Sequence, residues 1–329
     1  MLKRLLILAL AAALMPACSN DFELFTEKED IPVVYGLLSK SEDTQFVRLE
    51  RAFLDKDQSA RVIAGEPDSV FYSDAVVELV HLPTGDRFEM ERINAADIGL
   101  PRDEGDFPTD PNYIYTLDSE VINLTGGDTY GIEVRREGGD NIAYSEALVI
   151  GDLRILTPSD PTIQRLNYQG SSSQRIRWRE ANEVEFFNVR LRFNYEERSP
   201  ATGGEWVQDD LFWVVSNRVR ANTVTFAGDE FLQFIGNALV EDPTIDRRFR
   251  SIDIRLDAVG SELAAYIDVG LANLGITSSN EIPLYTNVDG GLGVFSSTNF
   301  TEVQGFNLTS TAIDSLLDGR FTEQLNFIR

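Results

Sequence analysis

The sequence contains a single cysteine, Cys18, and this constrains how any fold of the chain is held together. No disulfide can form within it, so stability must come from packed apolar cores. A hydrophobic content of 43% over 329 residues is enough to build them, and the length suits two domains. The same scarcity limits metal chemistry. One histidine and one cysteine do not supply a zinc site of the usual ligand types.

Cys18 closes a distinctive N-terminus. Lys3 and Arg4 precede an unbroken apolar run from Leu5 to Leu14. A bilayer span needs about 20 such residues, and a run this short reads as the core of a secretory signal. Leu14–Met15–Pro16–Ala17–Cys18 resembles a bacterial lipobox, although Met15 stands where leucine is usual and Pro16 is atypical. The expectation is a signal peptide over residues 1–17, with cleavage before Cys18 and lipidation of its thiol. Buried acyl chain contributes about 0.8 kcal/mol per methylene, so one chain anchors weakly and two or three hold firmly. Residues 18–30 then form an acidic tether, with five acids and one lysine between Ser19 and Asp30. Asp21 and Glu23 loosely resemble the surface-export signal of some Bacteroidota lipoproteins.

The formal charge of −25 repels phosphate backbones and excludes nucleic acid as a partner. Strong acidity also keeps a crowded surface protein soluble, and that accounts for most of it.

Residues 31–152 read as short strands divided by turns. Candidate strands at Pro32–Leu38, Gln45–Phe53, Ala75–Leu82, Tyr113–Leu117, Tyr130–Val134 and Ile142–Ile150 alternate with turn signals such as Pro83–Thr84–Gly85–Asp86. The pattern predicts an immunoglobulin-like antiparallel β-sandwich without its disulfide. Two long insertions, Asp55–Asp74 and Asn94–Pro111, are functional or mobile loops. The composition shifts around Asp152–Thr162, which places a boundary there. In residues 153–329, Phe187, Val189, Leu191, Phe193 and Tyr195 share one strand face while Asn188, Arg190, Arg192 and Asn194 share the other. Trp178 followed by this strand resembles the opening of a fibronectin-like domain. Phe231, Phe234, Ile235, Ala238 and Leu239 predict an amphipathic helix, and Leu263, Tyr266, Ile267 and Leu271 a second one, N-capped by Ser261. The second domain is therefore β-rich with inserted helices, and the fold class is mainly β.

Near the C-terminus, Tyr285–Phe295 reads Tyr-Thr-Asn-Val-Asp-Gly-Gly-Leu-Gly-Val-Phe. Its glycines permit positive φ and close backbone approach, and the reading is a tight turn pinned by Asn287, with Val294 and Phe295 re-entering the core. The alternative is a nest of N–H groups for an anion; no Gly-Lys-Ser/Thr follows, so it is no P-loop. Together with the lipobox and the strand Val33–Ser39, this motif resembles a family of Bacteroidota outer-membrane lipoproteins of unassigned function, many encoded beside TonB-dependent receptors. The resemblance implies an outer-membrane location and a receptor partner, and transfers no catalytic residue.

Candidate chemistry is sparse. His81 ends a strand beside a turn and reads as structural. Many carboxylates make chance glycosidase-like pairs inevitable, so their number does not argue for a hydrolase. Asp103–Glu104–Gly105–Asp106, continuing to Asp110, offers oxygen ligands for Ca²⁺ but lacks EF-hand spacing and reads as a solvated loop. Trp213 belongs with Leu211 and Val215 in a core, whereas Trp206 is the candidate exposed platform for stacking a ligand such as a sugar. Asp68–Ser69–Val70 and Asp314–Ser315–Leu316 resemble a short O-glycosylation signal. No catalytic, cofactor or metal residue emerges. The expected function is a non-enzymatic outer-membrane lipoprotein, an accessory or ligand-capturing partner of a TonB-dependent receptor, with a glycan or a peptide as candidate ligand. The alternative is a glycan-binding surface module acting without a receptor.

Overall fold

Alternation of apolar and polar side chains is strongest around Leu191, and the strand it forms lies inside the largest sheet of the molecule. The computed structural model describes residues 30–53, 59–179, 181, 183–275 and 284–329. Cys18, the lipobox and most of the tether lie outside the described residues. The N-terminal part contains β1 (Asp30–Leu38), β2 (Thr44–Phe53), α1 (Ala60–Ala64), α2 (Pro67–Val70), β3 (Ala75–His81), β4 (Asp86–Glu89) and β5 (Glu91–Asn94), then β6 (Tyr113–Asp118), β7 (Thr129–Arg136) and β8 (Asn141–Leu148). After it come β9 (Ile155–Thr157), β10 (Arg165–Leu166), β11 (Ser173–Trp178), β12 (Phe186–Arg198), β13 (Trp206–Val219) and β14 (Thr223–Ala227). The chain continues through α3 (Gly228–Ala238), β15 (Asp246–Val259), α4 (Ser261–Gly275), β16 (Leu292–Leu308) and α5 (Ser310–Asp318). The protein is mainly β, as its sequence predicts.

A nine-stranded sheet runs in the order β13–β12–β15–β16–β1–β2–β6–β5, with β10 added against the end of β16. Strand β16 is its hinge piece. Its first half pairs parallel with β1, from Val33 against Leu292 to Leu38 against Ser297. Its second half pairs antiparallel with β15, from Val259 against Thr298 to Ile252 against Phe306. One sheet thus runs through both segments that the composition shift at Asp152 separates. The parallel pairing differs from an all-antiparallel sandwich, because β1 and β16 come from opposite ends of the chain and no hairpin joins them.

Two large cores pack against this sheet. Val34, Leu38, Val47, Leu49 and Phe295 face Val77, Leu79, Tyr130, Ile132 and Val134 of the four-stranded sheet β4–β3–β7–β8. Further along, Val189, Leu191, Phe193, Ile252, Ile254 and Leu256 pack under the three-stranded sheet β14–β11–β9 with α3 and α5. Trp178 is fully buried and meets Phe187 edge-on at 5.3 Å between ring centroids. Trp213 stacks on Phe234 at 5.9 Å with Leu211 and Val215 beside the same core, as alternation predicts.

The helices follow their stripes with small differences. In α3, Phe231 and Ile235 are buried, but Leu232 is too, whereas Ala238 is exposed. Glu230 accepts the Ala227 N–H at 2.8 Å and so caps the start. Ser261 is the first residue of α4 rather than its cap; the hydroxyl of Ser296 on β16 accepts the Leu263 N–H at 3.1 Å instead. Helix α5 is absent from the sequence reading, although Thr309 caps it in the ordinary way by accepting the Ala312 N–H.

Candidate functional site

The outward-facing residues of β1 and β2 are unusual for a solvated sheet surface. Because Val34, Gly36 and Leu38 point into the core, Tyr35 and Leu37 must point out, and Phe46 does the same on β2. Leu37 is 40% exposed and Phe46 38%. They form the floor of a groove of about 690 Å³. One wall is α4, through Leu263 and Tyr266; the other is the 95–100 segment, through Ala95 and Leu100, with Ile114 between it and the floor. The volume falls within the roughly 300–1,000 Å³ of small-molecule sites, and such sites are mostly apolar with few polar groups.

Each wall is positioned by specific bonds. The insertion at Asn94–Pro111 opens with a short 3-10 helix, Ala95–Ile98, whose start is capped by Asn94 accepting the Ala96 N–H. Arg102 then pairs with Glu50 on β2. Arg48 donates to Glu50 at 3.2 Å and to buried Asn112 at 2.7 Å, and Asn112 donates to the Leu100 carbonyl at 3.3 Å. Opposite, the Ser296 hydroxyl holds the first turn of α4 against β16. Tyr35 and Tyr266 meet edge-on across the groove, 6.3 Å between centroids. Burial, reinforced by the hydrogen bond with Tyr266, pushes the Tyr35 phenol up to about 12. It is a neutral hydrogen-bonding group at any physiological pH.

The residues singled out in the sequence fall elsewhere. His81 is held at both ring nitrogens, 2.9 Å from Thr84 Oγ1 and 2.9 Å from Asp128 Oδ2, and stacks on Tyr130 at 4.7 Å. It ties the β3–β4 turn to the entry of β7, a structural task. In the 103–110 loop Asp106 pairs with Arg61 at 2.7 Å and Asp110 accepts from Asn94 at 2.8 Å. No group of three or more His, Cys, Asp or Glu side chains able to hold a metal ion occurs among the described residues.

Trp206 opens β13 at the far end of the sheet, half-buried. The guanidinium of Arg248 lies 4.2 Å from its ring centroid and that of Arg198 4.8 Å. Cations therefore already cover indole surface that a stacking ligand needs.

The glycine-rich motif is a joint. Asn287 bonds both backbone groups of Phe295, and Asp289 exchanges backbone hydrogen bonds with Tyr144 of β8, at 2.7 and 3.0 Å. Gly293 has φ of 114°, and its backbone lies so close to Val34 that a Cβ would overlap the Val34 carbonyl. Val294 and Phe295 are buried, as expected of a turn leading back into the core. The N–H groups of Asp289 and Phe295 are thus spent on internal bonds rather than offered to an anion.

Sequence reasoning did not find the groove. A signal existed: Val33–Val34–Tyr35–Gly36–Leu37–Leu38 is apolar on both faces, while only one face of β1 meets the core.

No curated protein matches the chain. A family model described as a domain of unknown function, DUF4249, matches residues 20–304. The match spans β1, the groove and most of β16, and the chain belongs to the DUF4249 family.

Proposed function

We propose that this protein is a non-enzymatic lipoprotein of the outer membrane that captures an apolar or aromatic ligand in the groove over β1 and β2 and acts as accessory to a TonB-dependent receptor. The groove carries the reading. Its floor leaves Tyr35, Leu37 and Phe46 partly in water, between walls that hydrogen bonds and ion pairs have already positioned. Contiguous exposed apolar surface is costly for a soluble domain and marks interaction sites. Covering each half-exposed side chain contributes about 1 kcal/mol. At that scale, capture of a small ligand on this floor is weak and readily reversed. Such capture suits loading of a neighbouring transporter better than permanent storage.

The anchor rests on the lipobox at Cys18, and the receptor on the sequence resemblance. No helix among the described residues is long and apolar enough to cross a membrane.

A fluorescent apolar probe, 1-anilinonaphthalene-8-sulfonate or its uncharged analogue N-phenylnaphthylamine, tests the groove. The probe should brighten with the parent protein and lose most of that signal with Leu37→Asp. An unchanged signal would remove the groove as the site. Palmitate labelling that marks the parent and spares Cys18→Ala supports the anchor. Mild detergent extraction that enriches no outer-membrane receptor would count against the partner.

A further inference from the structure

The same outer face carries a second concavity of opposite character. It lies where β16 passes from β1 to β15, and has a volume of about 430 Å³. At its centre Asp257 is clamped by two arginines. Arg190 donates to one carboxylate oxygen through Nε at 2.9 Å and Nη2 at 2.7 Å, and Arg255 donates to the other through Nε at 2.8 Å. Arg255 also lies over the ring of Phe300 at 3.8 Å. Around this clamp the side chains of Asn217, Thr298 and Glu42 line the basin and have no hydrogen-bond partner among the described residues. Val214, 46% exposed, adds an apolar contact.

Charge decides what such a basin takes. The two guanidinium groups are balanced locally by Asp257 and Glu42, and the chain as a whole carries −25. An anion gains no net attraction there and is repelled at long range. A cation finds Asp257 bonded to both guanidinium groups, which leaves the single carboxylate of Glu42, far short of the ligand set a hard cation needs. A neutral ligand with many hydroxyls loses nothing by charge. It meets an amide, a hydroxyl and a carboxylate, which together donate and accept in several directions. Val214 offers the apolar contact that the C–H face of a sugar ring requires, while Arg255 already covers a face of Phe300. We infer that this basin binds the ring of a neutral saccharide. The site is separate from Trp206 and from the apolar groove, which it adjoins at Glu42.

Saturation-transfer NMR on the whole chain tests this, with the methyl glycosides of glucose, galactose, mannose and N-acetylglucosamine as probes and glucuronate as the charged comparison. At least one neutral glycoside should receive saturation, and glucuronate should bind more weakly. Asn217→Ala combined with Thr298→Val should reduce affinity about tenfold, the loss of two ordinary hydrogen bonds. Both positions are at the surface of the basin, and circular dichroism establishes that the double variant folds. Trp206→Ala and Leu37→Asp should leave sugar binding unchanged. Silence from all four glycosides overturns the inference, as does equal binding of glucuronate, or a loss that follows Trp206→Ala or Leu37→Asp but not the double variant. None of these results bears on probe binding in the groove, so the two readings fail separately.

Discussion

Asn287 holds Phe295 by both of its backbone polar groups: Nδ2 donates to the carbonyl at 2.7 Å, and Oδ1 accepts the N–H at 3.0 Å. One side chain thereby imitates a neighbouring strand at the point where β16 enters the sheet. Phe295 is fully buried, so neither group can turn to water instead. Asn287→Ala should cost about 2–4 kcal/mol, the penalty for leaving two buried groups unmet. Asn287→Asp keeps only the acceptor and should fall between. The midpoint of urea unfolding measures both, and an alanine variant as stable as the parent would show that the joint is dispensable.

Gly293→Ala should be more damaging still. The substitution meets an unfavourable φ and drives a methyl group into the Val34 carbonyl; more than about 3 kcal/mol is expected, with soluble yield falling accordingly. Gly85→Ala is the control. Its φ is 79°, but nothing lies within 4 Å of the added carbon, so about 1 kcal/mol should be lost.

The groove can be followed by alkaline titration. A tyrosine normally ionises near pH 10, and Tyr35 is held up to about 12 by burial first and by Tyr266 second. The raised value means that the folded state holds this proton more tightly than the unfolded one. Its contribution to stability is complete below about pH 10 and is lost as pH rises towards 12. Tyr266→Phe should lower the ultraviolet titration midpoint of Tyr35 without restoring the ordinary value, because burial remains. Tyr35→Phe should flatten the fall of stability in that window.

On the outer face of β3, Arg87 donates to Glu78 at 3.0 Å and also pairs with Glu133, while Arg135 reaches Glu78 at 3.2 Å. These hydrogen bonds, that of Arg87 foremost, hold the Glu78 carboxyl below its usual range despite some burial. A depressed carboxyl pKa contributes stability above the ordinary glutamate value, and the contribution disappears as pH falls through the folded value. Glu78→Gln should therefore cost less than about 1 kcal/mol at pH 7. The parent and the variant should converge on acidification. A gap that stays constant down to low pH would mean that the cost is one of packing.

What the sequence shows of this fold is local periodicity. The alternation from Phe187 to Tyr195 identifies both faces of β12, and the stripes of α3 and α4 locate both helices. The Asn287 turn is legible because asparagine and glycine restrict backbone geometry wherever they stand. Partners distant in sequence leave no such trace. Nothing near Leu292 announces that it will lie beside Val33, and the groove draws its lining from segments scattered between Tyr35 and Val294. Trp206 illustrates the same limit. Alternation assigns it a face, but Arg248 comes to it from β15, across the intervening strand. Helix α5 is a different case, since Ala312, Ile313, Leu316 and Leu317 carry the helical spacing plainly enough.

The pairing of β1 with β16 has a consequence for how the molecule comes into being. A polypeptide made amino end first must wait for residues 292–297 before the hydrogen bonds on that side of β1 find their mates. Such late, long-distance closure is slow, and a bare strand in the meantime is a template for the wrong neighbour. Folding of the amino-terminal half is thus tied to the completion of the chain. That edge needs shielding until the far end of the chain arrives.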